Sequence, residues 1–478
     1  MLTPQFLIPL HHELVIDLFS GGGGASTGIE QAIGRPVDVA INHDPEAVAL
    51  HQANHPQTLH YVSDVFEVDP LAVTDGRPVG LLWASPDCTF HSKARGGKPH
   101  RDRKQANKRR ALAGVVVRWA KAVRPRIIHL ENVEEFQHWG PLDASGQPCP
   151  RRKGSSFRRW VASLRNCGYA VEWRELRACD YGAPTIRKRL FLIARCDGQP
   201  IVWPAPTHGA PGSLPVRQKK LLPWRTAAEC IDWDVPAPSI FERARPLADA
   251  TCRRIAAGIV RYVIKSGEPF IATNTTGHPG APVGQPLRTV TTAGNQALVA
   301  AFLAKHYTGV VGSELREPIG TVTSVDHHSL TTAHLITIDN QSSAGGHSPA
   351  DSPLKTTVTE NRHALVQAFL TAYYGSDADG QPMGEPLRTV PTRDRFGLVM
   401  VQGQPYAIAD IGLRMLTPRE LYRAQGFPPD YIIDRGADGR ALTKTAQVRM
   451  CGNSVCPPMA RALVLANYAE ARAERMVA

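Results

Sequence analysis

Six short apolar runs punctuate the first 195 residues: Leu14 to Phe19, Val37 to Ile41, Leu59 to Val62, Val79 to Ala84, Arg126 to Leu130 and Arg189 to Ala194. Runs that are apolar throughout, and not at alternate positions only, belong to strands buried on both faces. A parallel sheet covered by helices provides that burial. The segments between the runs carry helix signals: Asp44-Pro45-Glu46 supplies a cap residue, a first-turn proline and an acid, and opens a stretch ending near Asn54-His55-Pro56. The pattern predicts an α/β fold with a doubly wound, mostly parallel sheet.

At 478 residues the chain is too long for one ordinary core. Three segments are expected: 1–206 as a catalytic and cofactor-binding domain, 207–404 as a β-rich domain, and 405–478 as a segment returning to the first. The middle segment is rich in proline, glycine and threonine and holds a weak repeat. Its copies are Pro286-Leu287-Arg288-Thr289-Val290-Thr291, Pro318-Ile319-Gly320-Thr321-Val322-Thr323, Pro353-Leu354-Lys355-Thr356-Thr357-Val358 and Pro386-Leu387-Arg388-Thr389-Val390-Pro391. Two copies have similar tails, Ala297 to Leu303 and Ala364 to Leu370, which argues for a duplicated small unit. Four irregular copies inside a larger chain suit an elaborated recognition domain better than a solenoid. In the last segment Thr417-Pro418-Arg419-Glu420 reads as a capping box, and a final helix is expected from about Pro457 to Arg475.

Lys and Arg number 55 against 43 Asp and Glu, a net charge of +12, and the excess is dense from Lys93 to Arg110. A polyanionic partner follows from that imbalance. The nine cysteines include no CxxC pair, so neither a zinc ribbon nor a disulfide framework is indicated, and no metal site is expected. No apolar stretch approaches the roughly 20 residues needed to span a bilayer, and the first residues lack the order of a signal peptide. A cytoplasmic protein with no membrane partner is the expectation.

Two strand ends carry the candidate chemistry. The run Val79 to Ser85 ends in Pro86-Asp87-Cys88, and the run from Arg126 ends in Glu131-Asn132-Val133. A lone cysteine after a strand is most often an inert thiol. Here a thiol and a carboxyl at neighbouring strand tips could face one small molecule, and the pairing suits addition to an electron-poor ring with protonation of that ring. The first run leads into Asp17-Leu18-Phe19-Ser20-Gly21-Gly22-Gly23-Gly24, a turn that lets backbone approach a nucleotide-like ligand at a helix start. The GxGxxG match is only trivial and there is no P-loop lysine, so phosphoryl transfer is disfavoured.

Taken in order, DLFSGGGG, SPDC, ENV, the segment Tyr181 to Arg189, the segment Arg414 to Pro428, and Gly452-Asn453-Ser454-Val455 resemble the motifs of the cytosine-5 DNA methyltransferase family. The resemblance covers the first 195 and last 65 residues. It implies a Rossmann-like fold, S-adenosylmethionine as cofactor, and double-stranded DNA as substrate. By motif position Cys88 is the nucleophile, Glu131 the proton donor, Arg189 the partner of the base carbonyl, and Arg187 takes a phosphate or thiolate-side role. Phe19 lies against the adenine, Ser20 and Gly21 near the methionine part, Asn42 at the ribose, His43 beside the adenine and Asp64 at its amino group. Asp17, Gly22, Gly24, Val65, Pro86, Asn453 and Ser454 complete the implied cofactor set. Ser92, Lys93, Arg95 and Lys98 are the implied DNA contacts, on a loop with Gly96-Gly97 as hinge.

Three positions depart from the family pattern: Asn42 stands where a glutamate is usual, Asp87 where a second proline is usual, and Thr185 where a glutamine is usual. Asp44 could make up for the missing charge at Asn42. Glu131 is expected to hold its proton in a desolvated site. An RNA cytosine methyltransferase of the same fold and a catalytically silent DNA-binding relative are the alternatives. A monomer is expected, with a cognate restriction endonuclease as a further partner.

Overall fold

A computed structural model describes residues 13–87, 110–143, 148–232 and 414–469, a few positions between 235 and 246, and strand backbones between 270 and 413. The chain divides into two compact units: Met1–Ala183, Arg187–Thr207 and Gln425–Ala478 make the first, and Pro184–Ile186 with His208–Ala424 the second.

The first unit is built on a seven-stranded sheet. Its strands are β1 (Leu14–Leu18), β2 (Val39–Asn42), β3 (Leu59–Val62), β4 (Val79–Ala84), β5 (Ile127–Asn132), β6 (Ala170–Arg177) and β7 (Lys188–Arg195), in the order β3-β2-β1-β4-β5-β7-β6. Neighbours from β3 through β5 run parallel, whereas β7 is antiparallel to both β5 and β6. The sequence pattern grouped β7 with the parallel runs. Only ten residues separate β6 from β7, with no crossover helix among them, and a connection that short forces an antiparallel pair.

Helices cover both faces. On one, α4 (Gly114–Ala122) and α5 (Ser155–Asn166) set Val116, Trp119, Trp160 and Leu164 against Ile16, Leu82, Ile128 and Leu192. On the other, α1 (Gly24–Ile33) and the C-terminal α7 (Pro457–Val464) set Ile29, Met459 and Leu463 against Val15, Leu81, Trp83 and Ile193. Each such aliphatic side chain, fully buried, contributes about 1.5–3 kcal/mol. A π-helical turn, Leu465–Ala469, follows α7, so the final helix is shorter than its composition suggested within the described residues. The tight fit of α7 on α1 depends on two glycines. A Cβ on Gly24 would lie 2.1 Å from the carbonyl oxygen of Val455, and one on Gly28 would lie 2.3 Å from that of Pro457. Helix α2 (Pro45–Asn54) starts as its sequence predicts, with Asp44 accepting from the amide of Glu46.

In the second unit the strand backbones form a large antiparallel sheet. Its path runs β8 (Phe270–Thr273), β9 (Gln296–Lys305), β10 (His328–Thr337), β11 (His363–Ala372), β13 (Gln404–Met415) and β12 (Leu398–Val401). The first three copies of the repeat each precede one long strand, β9, β10 or β11. Val290–Thr292 of the first copy pairs in parallel with Thr356–Thr359 of the third. At the end of β13 the Arg414 guanidinium forms a buried ion pair with Glu420 and donates to the carbonyl of Asp232. Glu420 and Thr417 exchange hydrogen bonds as the expected capping box.

Candidate active site

The chain reverses its winding direction between β1 and β4, and in open α/β sheets ligands bind beyond the carboxyl ends of the strands at such a point. Phe19 to Gly23 follow β1, Asn42 and His43 follow or end β2, Asp64 and Val65 follow β3, Pro86 follows β4, and Glu131 and Asn132 end β5. The parallel register joins these ends directly: Ser20 N donates to Ile41 O at 3.2 Å and Ser85 N to Leu18 O at 3.3 Å.

The turn after β1 is strained and tightly packed. Phe19 has φ +63, a conformation few side-chain-bearing residues adopt and one that clusters at functional turns. The glycines answer different needs from those the sequence suggested. Gly23 has φ +84 and a Cβ there would meet the Tyr431 hydroxyl at 2.2 Å; one on Gly22 would meet Ser454 Oγ at 3.1 Å. With Gly24 against Val455, three of the four glycines admit the protein's own C-terminal segment. Gly21, φ +52, has nothing nearer than its neighbour's carbonyl at 3.7 Å, so the turn is open to a ligand there.

The side chains around the turn divide into committed and open groups. Ser20 is buried and its hydroxyl has no hydrogen-bond partner among the described residues. Such an orphan is resolved by a ligand or water. Asp17 is wholly buried beneath the turn, with Oδ2 accepting from Ser26 Oγ at 2.7 Å, so it supports the turn from below and offers no surface to a ligand. Burial, opposed by the Ser26 hydrogen bond, pushes its carboxyl up to about 7. Asn42 Oδ1 accepts from the amide of Asp44 at 2.9 Å. The Asp44 carboxylate, which could have made up for the missing charge at Asn42, instead caps α2 and pairs with Arg449. His43 is exposed, and Asp64 accepts from the amide of Phe66. The turn holding Asp64 and Val65 is clamped by Arg118 of α4, whose guanidinium donates to the carbonyls of Phe66, Val65 and Val68 at 2.6–2.7 Å. Asn453 is exposed at the end of α6 (Lys444–Asn453), whereas Ser454 is buried and bonds Met450 O. An orphaned hydroxyl at Ser20, an open Gly21 and the α1 N-terminus fit a nucleoside-bearing cofactor with a charged methionine part.

The second half of the site lies at β4 and β5. Ala84 and Leu130 are register partners, so the two tips are one strand spacing apart. Asn132, buried at the end of β5, donates from Nδ2 to the carbonyl of Pro86 at 3.0 Å and accepts the amide of Val133. It thereby pins the segment from which Cys88 departs. Glu131 is nearly buried and ion-pairs with Arg189 Nε at 3.2 Å and Arg187 Nη2 at 4.0 Å. Its surroundings are therefore two guanidinium groups, where the sequence reading expected a purely desolvated pocket. Arg187 is itself buried and donates to the carbonyl of Gly452 at 3.0 Å, which ties the C-terminal segment to the carboxylate.

Cys456 lies near this cluster, but burial pushes its thiol up to about 12 and it donates to Gln425. It is a packing thiol. His129, two residues before Glu131 on β5, is kept neutral by burial and by the charge of Arg195, which pull it down to about 3. Cys88, Ser92, Lys93, Arg95 and Lys98 lie outside the described residues. Among the described residues no cluster of three or more His, Cys, Asp or Glu could hold a metal ion, and no helix is long and apolar enough to cross a membrane. The roles of Asn132, Arg118 and Tyr431 were not read from the sequence; only the ENV spacing hinted at Asn132.

A model of the C-5 cytosine-specific DNA methylase family matches residues 14–219 and 322–467. The chain is 30% identical over 217 residues to Type II methyltransferase M.SacI of Streptomyces achromogenes, covering 42% of this chain and 52% of that protein. It is 31% identical over 199 residues to Type II methyltransferase M.AgeI of Thalassovita gelatinovora, covering 40% and 42%. The chain thus spans about half the length of the curated relatives it matches. Among solved structures, the Entamoeba histolytica methyltransferase EhMeth is similar at 13% identity and a TM-score of 0.47, over 95% of this chain and 97% of that one.

Proposed function

Since the chain belongs to the C-5 cytosine-specific DNA methylase family, we propose that it is a DNA (cytosine-5-)-methyltransferase acting on a cytosine swung out of duplex DNA. The observation that carries this reading is the pairing at the β4 and β5 tips. Glu131, held by Arg187 and Arg189, stands one strand spacing from the Pro86 carbonyl that Asn132 anchors, two residues before Cys88.

Carbon 5 of cytosine is a poor nucleophile. The Cys88 thiolate adds to carbon 6, forming a C–S bond and sending the electron pair of the 5,6 double bond into the ring. Glu131 meets the charge that develops on ring nitrogen 3 and supplies a proton there, while Arg189 donates to the base carbonyl. S-adenosylmethionine, when bound, supplies an electrophilic methyl group. Ser20, Gly21 and the first turn of α1 hold and orient it, with Asn42, His43 and Asp64 around its nucleoside end. Carbon 5 takes the methyl, its proton leaves to a base, and Cys88 is expelled as the 5,6 double bond returns. Extrusion of the target base costs a few kcal/mol. The basic stretch bearing Ser92, Lys93, Arg95 and Lys98 follows the backbone, and the unit from 208 to 424 chooses the sequence. The methyl mark would pair with a cognate restriction endonuclease in a cytoplasmic restriction–modification setting.

Duplex DNA carrying 5-fluorocytosine at the target position tests the covalent step, because fluorine cannot leave as the proton does. A denaturation-resistant protein–DNA complex is expected with the wild-type chain and none with Cys88→Ser. Methyl transfer without trapping would refute the cysteine adduct.

A further inference from the structure

Beneath the glycine-rich turn lies a polar cluster whose hydrogen-bond accounting fixes where its protons are. Tyr431, from the C-terminal segment, donates to the carbonyl of Gly22 at 2.8 Å. Thr27 of α1 donates to the carbonyl of Gly23 at 2.7 Å. Both hydroxyls thus spend their single proton on the turn. His55 Nε2 sits 3.3 Å from the Tyr431 oxygen and 3.4 Å from Thr27 Oγ1, both longer than the bonds to the carbonyls. Facing two oxygens whose protons are committed elsewhere, Nε2 must donate. On the other side of the ring Nδ1 stands 2.9 Å from the Glu30 carboxylate, which only accepts. Nδ1 must donate as well. The ring therefore carries a proton on each nitrogen and ion-pairs with Glu30 across the foot of α1.

We propose that Tyr431 is a positioning residue for the cofactor and that the His55 imidazolium keeps it in place. The inference rests on the cofactor reading given above. The Gly22–Gly23 peptide has its carbonyl on Tyr431 and its amide on Ser20 O at 3.0 Å, so both polar groups of that peptide are held. This presents Ser20 and Gly21, the open part of the turn, in one orientation. When His55 loses a proton, Nε2 becomes an acceptor. The Tyr431 or Thr27 hydroxyl then turns its proton toward the ring, and the turn loses a tie. Cofactor binding weakens as pH rises through that loss.

The titratable and charged groups facing His55 are few among the described residues. They are Glu30 from α1, His51 from its own helix, and Tyr431. Asp17 of β1 reaches the cluster through Ser26 and His51, with Ser26 Oγ 2.9 Å from His51 Nε2. His51 is held neutral, well below the usual imidazole range, by burial and then by the charges of His55 and His60. It passes its Nδ1 to His60 at 2.8 Å. The charge in the cluster is thus the His55–Glu30 pair.

The test titrates wild type and Tyr431→Phe with S-adenosylhomocysteine by calorimetry at about pH 6 and about pH 8.5. Loss of one donor to a buried carbonyl predicts binding weaker by about 5- to 30-fold at the lower pH. The wild type should lose affinity at the higher pH and the variant should be flat. In turnover the KM for S-adenosylmethionine should rise with kcat within about twofold. A variant that binds like wild type, or that keeps the same pH dependence, overturns the inference. Failure of the wild type to bind refutes the cofactor reading itself and this inference with it. If the phenylalanine variant does not fold, Glu30→Gln carries the test from the other end, with the same loss of affinity expected and an unchanged affinity refuting.

Discussion

Replacing Asn132 by alanine removes the one side chain that joins the tip of β5 to the tip of β4. Asn132 is 1% exposed, and its amide serves two buried backbone groups, the Pro86 carbonyl at 3.0 Å and the Val133 amide at 2.9 Å. Each left unpaired costs about 1–3 kcal/mol, and water entering the vacated volume recovers part of that. A net loss of about 2–4 kcal/mol of folding stability is expected from denaturant titration. The effect on rate is separable. Freed of its anchor, the segment leading to Cys88 can shift by an ångström, and displacements of that size cost on the order of 100-fold. Single-turnover methyl transfer, measured at a temperature where the variant is folded, should fall by about that factor. Asn132→Asp is the companion: it still accepts from Val133 but sets an acceptor against the Pro86 carbonyl, and should be as slow. A folded Asn132→Ala chain with a rate within about twofold of wild type would refute the anchoring argument.

Three further outcomes follow from the same geometry. Glu131→Gln should slow methyl transfer by about 100-fold or more with little change in DNA affinity, read by turnover and filter binding; an unchanged rate would move the proton donor elsewhere. Asp17 has its carboxyl raised by burial from 3.8 to about 7, so the folded chain holds a proton that the unfolded chain releases, and stability falls as pH rises between those values. Asp17→Asn should therefore match wild type near pH 4 and exceed it near pH 8, by at most about 4 kcal/mol in urea titrations; equal slopes in both proteins would contradict the assignment. Gly24→Ala puts a Cβ 2.1 Å from Val455 O and should cost about 1–3 kcal/mol by parting α1 from the C-terminal segment, whereas Gly114→Ala, with open space around it, should be near neutral.

The parts of the fold that could be read in the sequence are those whose burial is set by local composition. β4 and β5 are buried at every position and read as unbroken apolar runs. β6 was missed because Ala-Val-Glu-Trp-Arg-Glu-Leu-Arg is an edge strand, mostly exposed and charged, with no apolar run to mark it. The orientation of β7 was missed because direction depends on the connection and not on composition. At the site, the motif spacing located Glu131, Arg187 and Arg189, and the structure brings all three together. It could not tell which glycines face a ligand, because Gly22, Gly23 and Gly24 are explained by Tyr431, Ser454 and Val455, more than 400 positions away. Asn132, Arg118 and Tyr431 escaped for the same reason: each acts through a backbone carbonyl remote in sequence, and a carbonyl leaves no trace in residue identity.

The central claim is that this chain places a methyl group on carbon 5 of cytosine in duplex DNA. The most direct measurement incubates the purified full chain with S-adenosylmethionine and either duplex DNA of varied sequence or RNA, and then reads the position of every 5-methylcytosine by sequencing. The account predicts 5-methylcytosine at one defined sequence in duplex DNA, none in RNA, and none with Cys88→Ser. Methylation confined to RNA, methylation at another atom, or undiminished transfer by the serine variant would contradict it.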